Sequence, residues 1–157
     1  MVQTIDNRYR IIEKIGAGGM GAVYLAEDIR LRRKVALKRL SMIGIAGDMD
    51  LFVKRFEREA LEMASFQHTN IVSVYDYGRD DEGVYLVLEY MSGGALTGQL
   101  QQGKMPVSMA VKILLPLAEA LQAIHDQGRV HRDIKPANIL FNAYEKPKLA
   151  DFGVVKL

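Results

Sequence analysis

Cysteine and tryptophan are absent from this 157-residue sequence, and proline is scarce, at four residues. Without cysteine the chain can form neither a disulfide framework nor a thiolate metal site, and its composition suits a reducing compartment. Long runs of one charge are also missing: 21 Lys and Arg and 19 Asp and Glu give a net charge of +2, spread along the chain. The charge distribution therefore does not indicate a basic surface for binding nucleic acid or an anionic membrane.

Two kinds of apolar segment are lacking as well. Residues 1–10 contain no apolar core that resembles a secretory signal. The longest apolar tract, residues 109–124, is interrupted by Lys112, Pro116 and Glu119, which argues against a membrane-spanning helix. We therefore expect a cytoplasmic chain without a membrane segment.

The sequence is rich enough in apolar residues, at 49%, for one compact globular unit. Its first half predicts a five-stranded antiparallel sheet with one inserted helix, and its second half is mainly helical. The predicted strands are residues 10–15, 22–27, 34–40, 72–77 and 84–89; the predicted helices are residues 48–66, with Asp48 as N-cap, and 107–127, ending at Gly128. The boundary between the two parts is expected near residues 91–94.

A glycine cluster lies between the first two predicted strands. It reads Gly16, Ala17, Gly18, Gly19, Met20, Gly21, Ala22, Val23. Glycines at this spacing let backbone amides approach a phosphate chain. Dinucleotide-binding folds use a similar pattern but open a helix there, whereas Val23, Tyr24 and Leu25 continue as a strand. The cluster therefore predicts a turn between two strands that covers phosphates.

A lysine and a glutamate stand out in the elements that follow. In the strand Val35-Ala36-Leu37-Lys38, the two-residue period puts Ala36 and Lys38 on one face and turns Val35 and Leu37 to the core. In the next helix Glu59 interrupts an apolar stripe that also contains Phe52, Phe56, Met63 and Phe66. A carboxylate in that position needs a cation. Lys38 and Arg55, one turn earlier on the helix, are both candidates, and both pairings stay open.

The longer helix carries a second apolar stripe with a histidine at its end. Val111, Leu114, Ala118 and Leu121 recur at helical spacing, and His125 continues the series. We expect His125, on this stripe, to be a hydrogen-bonded core residue.

A dense polar segment, His131-Arg132-Asp133-Ile134-Lys135-Pro136-Ala137-Asn138, follows that helix and precedes an apolar strand. An aspartate in such a loop can accept a proton from a hydroxyl nucleophile, and a lysine can neutralise a transferring phosphoryl group. An asparagine oxygen suits a hard metal ion.

Asp151-Phe152-Gly153 closes a predicted hairpin of residues 139–141 and 148–150. If Phe141 pairs with Lys148 and Ile139 with Ala150, Asn138 lies opposite Asp151. Two oxygen ligands then meet at the mouth of the hairpin, which predicts a magnesium site.

In this order and context, the glycine turn, the Val-Ala-Leu-Lys strand, Glu59, His-Arg-Asp with its asparagine, and Asp-Phe-Gly resemble the protein kinases. The glycine turn and the Ile-Lys-Pro-Ala-Asn-Ile-Leu segment are similar to the bacterial, eukaryotic-like branch, and Lys135 resembles serine/threonine rather than tyrosine kinases. The resemblance implies a bilobal α+β fold with ATP in the cleft between the lobes. It places the N-lobe at residues 9–91 and a partial C-lobe at residues 92–157.

The resemblance also implies roles for individual residues. Asp133, Lys135 and Asn138 are the catalytic candidates; Asn138 and Asp151 would hold Mg²⁺. Lys38 would contact the α- and β-phosphates of ATP, with Glu59 orienting it. The remaining nucleotide contacts would come from Ile15 and the glycine segment Gly16 to Val23, from Ala36, Leu88, Glu89 and Met91, and from Leu140. The acceptor would be a Ser or Thr hydroxyl of a protein substrate.

The sequence ends shortly after Gly153, before the activation segment and the Ala-Pro-Glu motif of that family. We therefore expect Phe152, His131 and the apolar side of residues 107–127 to be exposed. The alternative function is an inactive, truncated kinase that binds nucleotide or a partner.

Overall fold

A computed structural model describes residues 3–18, 21–40 and 49–151. The chain divides into two compact units, one formed by Met1–Ser65 and Val74–Tyr90, the other by Phe66–Ser73 and Met91–Leu157. The first contains β1 (Thr4–Ile5), β2 (Tyr9–Gly18), β3 (Gly21–Asp28), β4 (Arg33–Leu40), α1 (Met49–Ser65), β5 (Val74–Asp80) and β6 (Gly83–Glu89). The second contains α2 (Leu96–Gln101), α3 (Val107–His125), a 3-10 turn (Pro136–Asn138), β7 (Ile139–Phe141) and β8 (Pro147–Leu149).

The first unit is built on an antiparallel sheet in the order β1-β2-β3-β4-β6-β5. The five predicted strands are present, but the sheet has six, because β1 pairs with β2 through Thr4 and Ile5. A two-residue strand is too short to show a period in the sequence, which is why it was missed.

One face of this sheet forms a closed apolar core. Val35 and Leu37 are fully buried on it, as their alternation with Ala36 and Lys38 predicts. They pack with Ile5, Tyr9, Ala26, Tyr85 and Val87. The predicted division of β4 into a core face and a second face is therefore confirmed.

Helix α1 buries the predicted stripe. Phe52, Phe56 and Met63 are buried along it, and the ring of Phe56 meets that of Tyr77 in β5 edge-on, with centroids 6.4 Å apart. The proposed N-cap Asp48 lies outside the described residues.

A polar network ties the start of β2 to two other strands. The Arg8 guanidinium donates to both oxygens of Asp28, over 3.1 and 2.7 Å, and to Asp76 Oδ2 over 2.9 Å. The Tyr9 hydroxyl donates to the same Asp76 oxygen over 2.6 Å. Asp28 is fully buried, and the hydrogen bonds from Arg8 hold its pKa below the usual range. A buried carboxylate is tolerated here because a bidentate arginine pairs with it.

The second unit differs from the sequence prediction mainly in α2, which was not predicted. This helix is six residues long and contains Gly98, so it shows no apolar period. The predicted helical cap at Gly128 is confirmed, because this residue has a φ of +70° and its N–H donates to His125 O over 2.8 Å.

Helix α3 buries a different face from the one that carries His125, so the prediction of a core histidine is wrong. Its buried residues are Ile113, Leu117, Ala120 and Ile124, whereas His125 is exposed. The helix is apolar on most of its circumference, so periodicity alone did not single out the inward face. Val107, Met109, Val111, Leu114 and Leu115 are exposed, which agrees with the expectation of an uncovered apolar side.

Among the described residues, α3 alone is long and apolar enough to cross a membrane by length and composition, with a mean hydropathy of 1.6. A single helix of this kind is weak evidence for a membrane span, so the expectation drawn from Lys112, Pro116 and Glu119 stays a prediction. A core helix of a soluble protein meets the same criterion.

Replacing Asp28 with Asn should destabilise the first unit by about 2–3 kcal/mol, because Arg8 loses its bidentate partner but is partly exposed and keeps Asp76. The pKa of Asp28 is lowered by folding, so its contribution to the free energy of unfolding is present above the unfolded-state pKa and is lost as pH falls through the lower folded value. Urea melts from neutral to acidic pH measure both effects.

The matched control is Asp81→Asn, which alters an exposed aspartate in the β5–β6 turn and should stay within about 0.5 kcal/mol of the parent. Equal losses in both variants would contradict the role of the network.

Candidate functional site

The glycine cluster lies in the hairpin of β2 and β3. Gly16 pairs with Val23, Ala17 with Ala22, and Gly18 with Gly21. The chain therefore continues from the glycines into a strand, as the sequence predicts, and not into a helix. Gly19 and Met20 lie outside the described residues. Gly21 has a φ of +135°, a conformation that side chains disfavour.

Lys38 lies on the sheet face opposite the closed core. It pairs with Val23 in β3 and Leu86 in β6, and the neighbouring row on that face is Leu25, Ala36 and Leu88. Val23, Ala36 and Leu88, three predicted nucleotide contacts, therefore share the face of Lys38. Glu89 follows Leu88 at the end of β6, and Ile15 is an exposed residue of β2.

Helix α1 packs on this same face. Tyr77, which meets Phe56 of α1, pairs with Leu86, and Leu86 pairs with Lys38. Glu59 is half-buried on the stripe that contains Phe56, whereas Arg55 is exposed. This placement favours Lys38 over Arg55 as the partner of Glu59, because a half-buried carboxylate gains more from a cation on its own buried side. The pairing itself stays a prediction.

In the second unit, His131 anchors the polar loop. It is buried, contrary to the expectation that it would be exposed, because both ring nitrogens are used inside the unit. Nδ1 accepts the N–H of Asp133 over 3.3 Å, so Nε2 carries the proton and donates to the carbonyl oxygen of Ala150 over 2.9 Å. A neutral imidazole thus links the loop to the end of the β7–β8 hairpin.

Asp133, Lys135 and Asn138 form a compact cluster. Asn138 Nδ2 donates to the backbone oxygen and to Oδ2 of Asp133, both over 2.8 Å, and Lys135 Nζ lies 3.0 Å from the same Oδ2. Asn138 is buried at 5% exposure, while Lys135 keeps 52% of its side chain in solvent. The carboxylate is therefore contacted both by a buried amide and by a half-exposed cation.

Three non-glycine residues in the described part of this unit have positive φ, and two of them lie at the predicted site: Arg132 at +68° and Asp151 at +58°. Each adjoins or belongs to the predicted site. Left-handed backbone at ordinary residues is unfavourable and tends to occur where side chains must be aimed precisely.

The hairpin of β7 and β8 has a register one residue away from the predicted one. Ile139 pairs with Leu149, Leu140 with Lys148 and Phe141 with Pro147. Asn138 is consequently opposite Ala150, whose N–H donates to Asn138 O over 2.8 Å, and Asp151 is one residue further along. The two predicted metal ligands are thus diagonal neighbours and not a directly opposed pair.

The turn explains the difference. Asn142 Oδ1 accepts the N–H groups of Tyr144 and Lys146, and Asn142 N–H donates to Lys146 O over 3.1 Å, so Asn142 pairs with Lys146. Glu145 supplies the left-handed residue, with a φ of +57°. Pro147 then faces Phe141 at a position where no ladder hydrogen bond is made, so its missing N–H carries no penalty.

The outer backbone groups of this hairpin are paired as well. Gly93 N–H donates to Phe141 O over 2.8 Å, and Phe141 N–H donates to Gly94 O over 2.9 Å. On the other side, Leu149 exchanges backbone hydrogen bonds with Asn70 and Val72. The short hairpin is thereby hydrogen-bonded at both edges. This fixes Leu140 in β7, two residues after Asn138 of the Asp133-Lys135-Asn138 cluster.

The sequence argument missed three features of this unit: α2, the 3-10 turn and the Gly93–Phe141 contact. For the Gly93–Phe141 contact alone the sequence contained a signal, the pair Gly93-Gly94, because glycine often marks a close approach of two backbone segments. The hydrogen bonds between Asn138 and Asp133 leave no trace in spacing or composition.

Each unit contains parts of a phosphoryl-transfer domain: the first has a glycine-lined strand pair and a lysine on the face opposite its closed core, and the second has an Asp-Lys-Asn cluster beside a hairpin that is followed by an aspartate. The family described as the protein kinase domain matches residues 9–157. The chain belongs to this family.

Relatives in bacteria agree with this assignment. The serine/threonine-protein kinase pkn2 of Myxococcus xanthus is 39% identical over 98% of this chain and 19% of its own length. PrkC of Bacillus subtilis is 43% identical over 96% of the chain and 23% of its own length. PknL of Mycobacterium tuberculosis is 42% identical over 97% of the chain and 38% of its own length. The chain thus spans between about a fifth and two fifths of the length of these relatives, and its resemblance to the bacterial, eukaryotic-like kinases is confirmed.

Gly93→Ala should destabilise the second unit by about 1–3 kcal/mol. A Cβ at this position would lie 2.8 Å from Phe141 Cβ and 2.9 Å from the backbone oxygens of Phe141 and Asn142, so the clamp on β7 must open. Chemical denaturation followed by circular dichroism measures the loss.

Gly98→Ala is the control, because this helical glycine of α2 has no atom within 4 Å of an added Cβ. That variant should gain up to about 1 kcal/mol from helix propensity. Destabilisation of similar size in both variants would show that the Gly93 contact is not the cause.

Proposed function

We propose that the chain carries the nucleotide-binding and catalytic-loop part of a protein serine/threonine kinase, which transfers the γ-phosphate of ATP to a Ser or Thr hydroxyl. The observation that carries this proposal is the cluster in which Asn138 and Lys135 both contact one carboxylate oxygen of Asp133. The relatives named above, all called serine/threonine-protein kinases, support the same chemistry.

In this proposal Asp133 acts as the general base. The acceptor hydroxyl oxygen forms a bond to the γ-phosphorus, the bond from that phosphorus to the β–γ bridging oxygen breaks, and the hydroxyl proton passes to the carboxylate. Lys135 is exposed enough to turn from Asp133 toward the transferring phosphoryl group, whose charge it would neutralise. The buried Asn138 amide keeps the carboxylate aimed during this change.

Residues of the first unit would hold the nucleotide. The backbone from Gly16 to Gly21 would cover the phosphates, and Lys38, oriented by Glu59, would contact the α- and β-phosphates. Val23, Ala36 and Leu88 share the Lys38 face, which suits an adenine ring on the same side of the sheet. Glu89, Met91 and Leu140 complete the proposed adenine contacts, with Ile15, Ala17 and Ala22 beside the glycines.

The residues present fit a magnesium ion. Asn138 uses its Nδ2 for Asp133, and its Oδ1 accepts no hydrogen bond within the described ranges, so a hard oxygen ligand is left for a cation. Asp151, just beyond the pair formed with Ala150, would supply a carboxylate. No group of three or more His, Cys, Asp or Glu side chains suited to a metal occurs in the described part of the chain. Magnesium needs only one or two protein carboxylates or amides and would neutralise phosphate charge.

The remaining assignments follow from this chemistry. The acceptor would be a protein with an exposed Ser or Thr, and the reaction would take place in the cytoplasm, where ATP is available. We also place α3 among core helices, since Ile113, Leu117, Ala120 and Ile124 are buried along one side and the helix packs against β8. A nucleic-acid partner is not part of the proposal.

Asp133→Asn should lower phosphoryl transfer by about 10²- to 10⁴-fold, the usual contribution of a general base. Transfer of radiolabel from ATP to a generic protein substrate, with Asp81→Asn as the matched control, measures the effect. Undiminished transfer in the Asp133 variant would remove the proposed base.

The same proteins distinguish the alternative, a nucleotide- or partner-binding module without turnover. Magnesium-ATP should raise the melting temperature of the parent and of Asp133→Asn, but not of Lys38→Met, because ligand binding stabilises only a fold that can hold it. A thermal shift in the parent without any transfer would support the alternative, and the absence of both would contradict the nucleotide site.

A further inference from the structure

Tyr75 occupies a bulge in the edge strand of the sheet. In the ladder of β5 and β6, Val74 pairs with Leu88 and Asp76 pairs with Val87. Tyr75 is therefore an extra residue without a partner on β6. A bulge of this kind turns a side chain out of the regular alternation of its strand. The ring of Tyr75 can thus point in a direction that a regular strand would not provide, and 40% of the residue stays exposed.

The ring of Tyr75 is covered by an arginine from another strand. The guanidinium carbon of Arg33 lies 3.7 Å from the ring centroid, which is within the range of a cation–π contact. Arg33 begins β4, and in the order β4-β6-β5 the strand β6 lies between β4 and β5. The stack therefore bridges two strands that are not neighbours and whose backbones are about 10 Å apart, twice the usual spacing.

The bridge crosses the sheet where β6 ends. The last residue of β6 is Glu89, which pairs with Val35, two residues after Arg33 in β4. Residues two apart in a strand share a face, and so do directly paired residues, which places Arg33, Val35 and Glu89 on the closed-core face. Burial and the negative charge of Glu89 raise the pKa of the Tyr75 phenol, so that carboxylate lies near the ring. Arg33, Tyr75 and Glu89 thus form one cluster on the face opposite Lys38.

The guanidinium of Arg33 depends on this stack. Among the described residues its Nε is buried without a hydrogen-bond partner. Burying a donor without a partner is unfavourable, and the contact with the ring offsets that cost. A planar guanidinium suits the role, because it stacks on an aromatic face in a way that an ammonium does not.

We propose that Arg33 and Tyr75 are positioning residues for the adenine of the nucleotide. They would not touch the nucleotide themselves, because Arg33 lies on the sheet face opposite Lys38. Their stack joins β4 to β5 across the end of β6, which fixes the backbone of Glu89, one of the proposed adenine contacts. This inference rests on the proposed function, since it needs a nucleotide bound at that backbone.

The test is the affinity of the 157-residue chain for magnesium-ATP, adenosine and magnesium-triphosphate, measured by isothermal titration calorimetry. Arg33→Gln and Tyr75→Leu should each weaken the binding of ATP and of adenosine by the same factor, about three- to tenfold, the size of an ordinary cation–π contact. Binding of inorganic triphosphate should not change, because the proposed phosphate contacts do not include the end of β6. Tyr75→Phe should bind like the parent, because it keeps the ring face and loses only the hydroxyl.

A double variant, Arg33→Gln with Tyr75→Leu, tests whether the two residues act as a pair. It should bind adenosine no more weakly than either single variant, because each substitution removes the same stack. The matched controls change the same residue types at exposed positions, Arg79→Gln in β5 and Tyr144→Leu in the β7–β8 turn, and should bind all three ligands like the parent. Losses that add up in the double variant, or an equal loss in Arg79→Gln, would overturn the positioning role.

The outcomes separate this inference from the proposed function. If the parent binds neither ATP nor adenosine, the nucleotide site is wrong and the inference falls with it. If the parent binds both, and Arg33→Gln and Tyr75→Leu bind them equally well, the nucleotide site stands and the positioning role is overturned. A parallel loss of triphosphate binding, with a lower melting temperature by circular dichroism, would show a general disturbance of the first unit and would overturn it as well.

Discussion

The double hydrogen bond from the Asn138 amide to Asp133 is the contact on which the polar loop of residues 131–138 depends. It ties the backbone and the carboxylate of Asp133 to the 3-10 turn that precedes β7, and the hairpin of β7 and β8 is held in turn by backbone hydrogen bonds to Gly93 and Gly94 on one edge and to Asn70 and Val72 on the other. In the proposed role of Asp133 as general base, a carboxylate held by a buried amide would need little reorganisation during proton transfer. His131 reinforces the link from the other end, through Asp133 N–H and Ala150 O.

The first unit uses a different polar network for a different purpose. Arg8, Asp28 and Asp76 join β2, β3 and β5 by charged hydrogen bonds, at the sheet end away from the glycine turn. Because Asp28 also accepts the N–H groups of the β3–β4 turn, the network shapes a surface loop as well as the core. The sheet face that carries Lys38 lies on the opposite side from this network, and α1 packs on it.

The sequence predictions were correct where hydrophobic periodicity and turn residues determine the structure locally. The alternation of Val35 and Leu37 with Lys38, the α1 stripe and the strand that follows the glycines are fixed by near neighbours, and each appears as predicted. It failed where the decision is tertiary or depends on one side chain. His125 was wrongly placed in the core because α3 is apolar almost all round, and the hairpin register slipped by one residue because Asn142 folds the turn through its own side chain. The hydrogen bonds that assemble the Asp133 cluster join residues whose spacing carries no such information.

The observed register also changes the geometry expected of the predicted metal ligands Asn138 and Asp151. With Asn138 opposite Ala150, Asp151 is carried one residue past the pair, and a regular extended strand would turn its side chain to the other face. The left-handed backbone of Asp151, with a φ of +58°, departs from that alternation at this point. The backbone before Asp151 is fixed, because Ala150 N–H donates to Asn138 O and Ala150 O accepts from His131 Nε2, and such a surrounding is what maintains an unfavourable φ at the next residue.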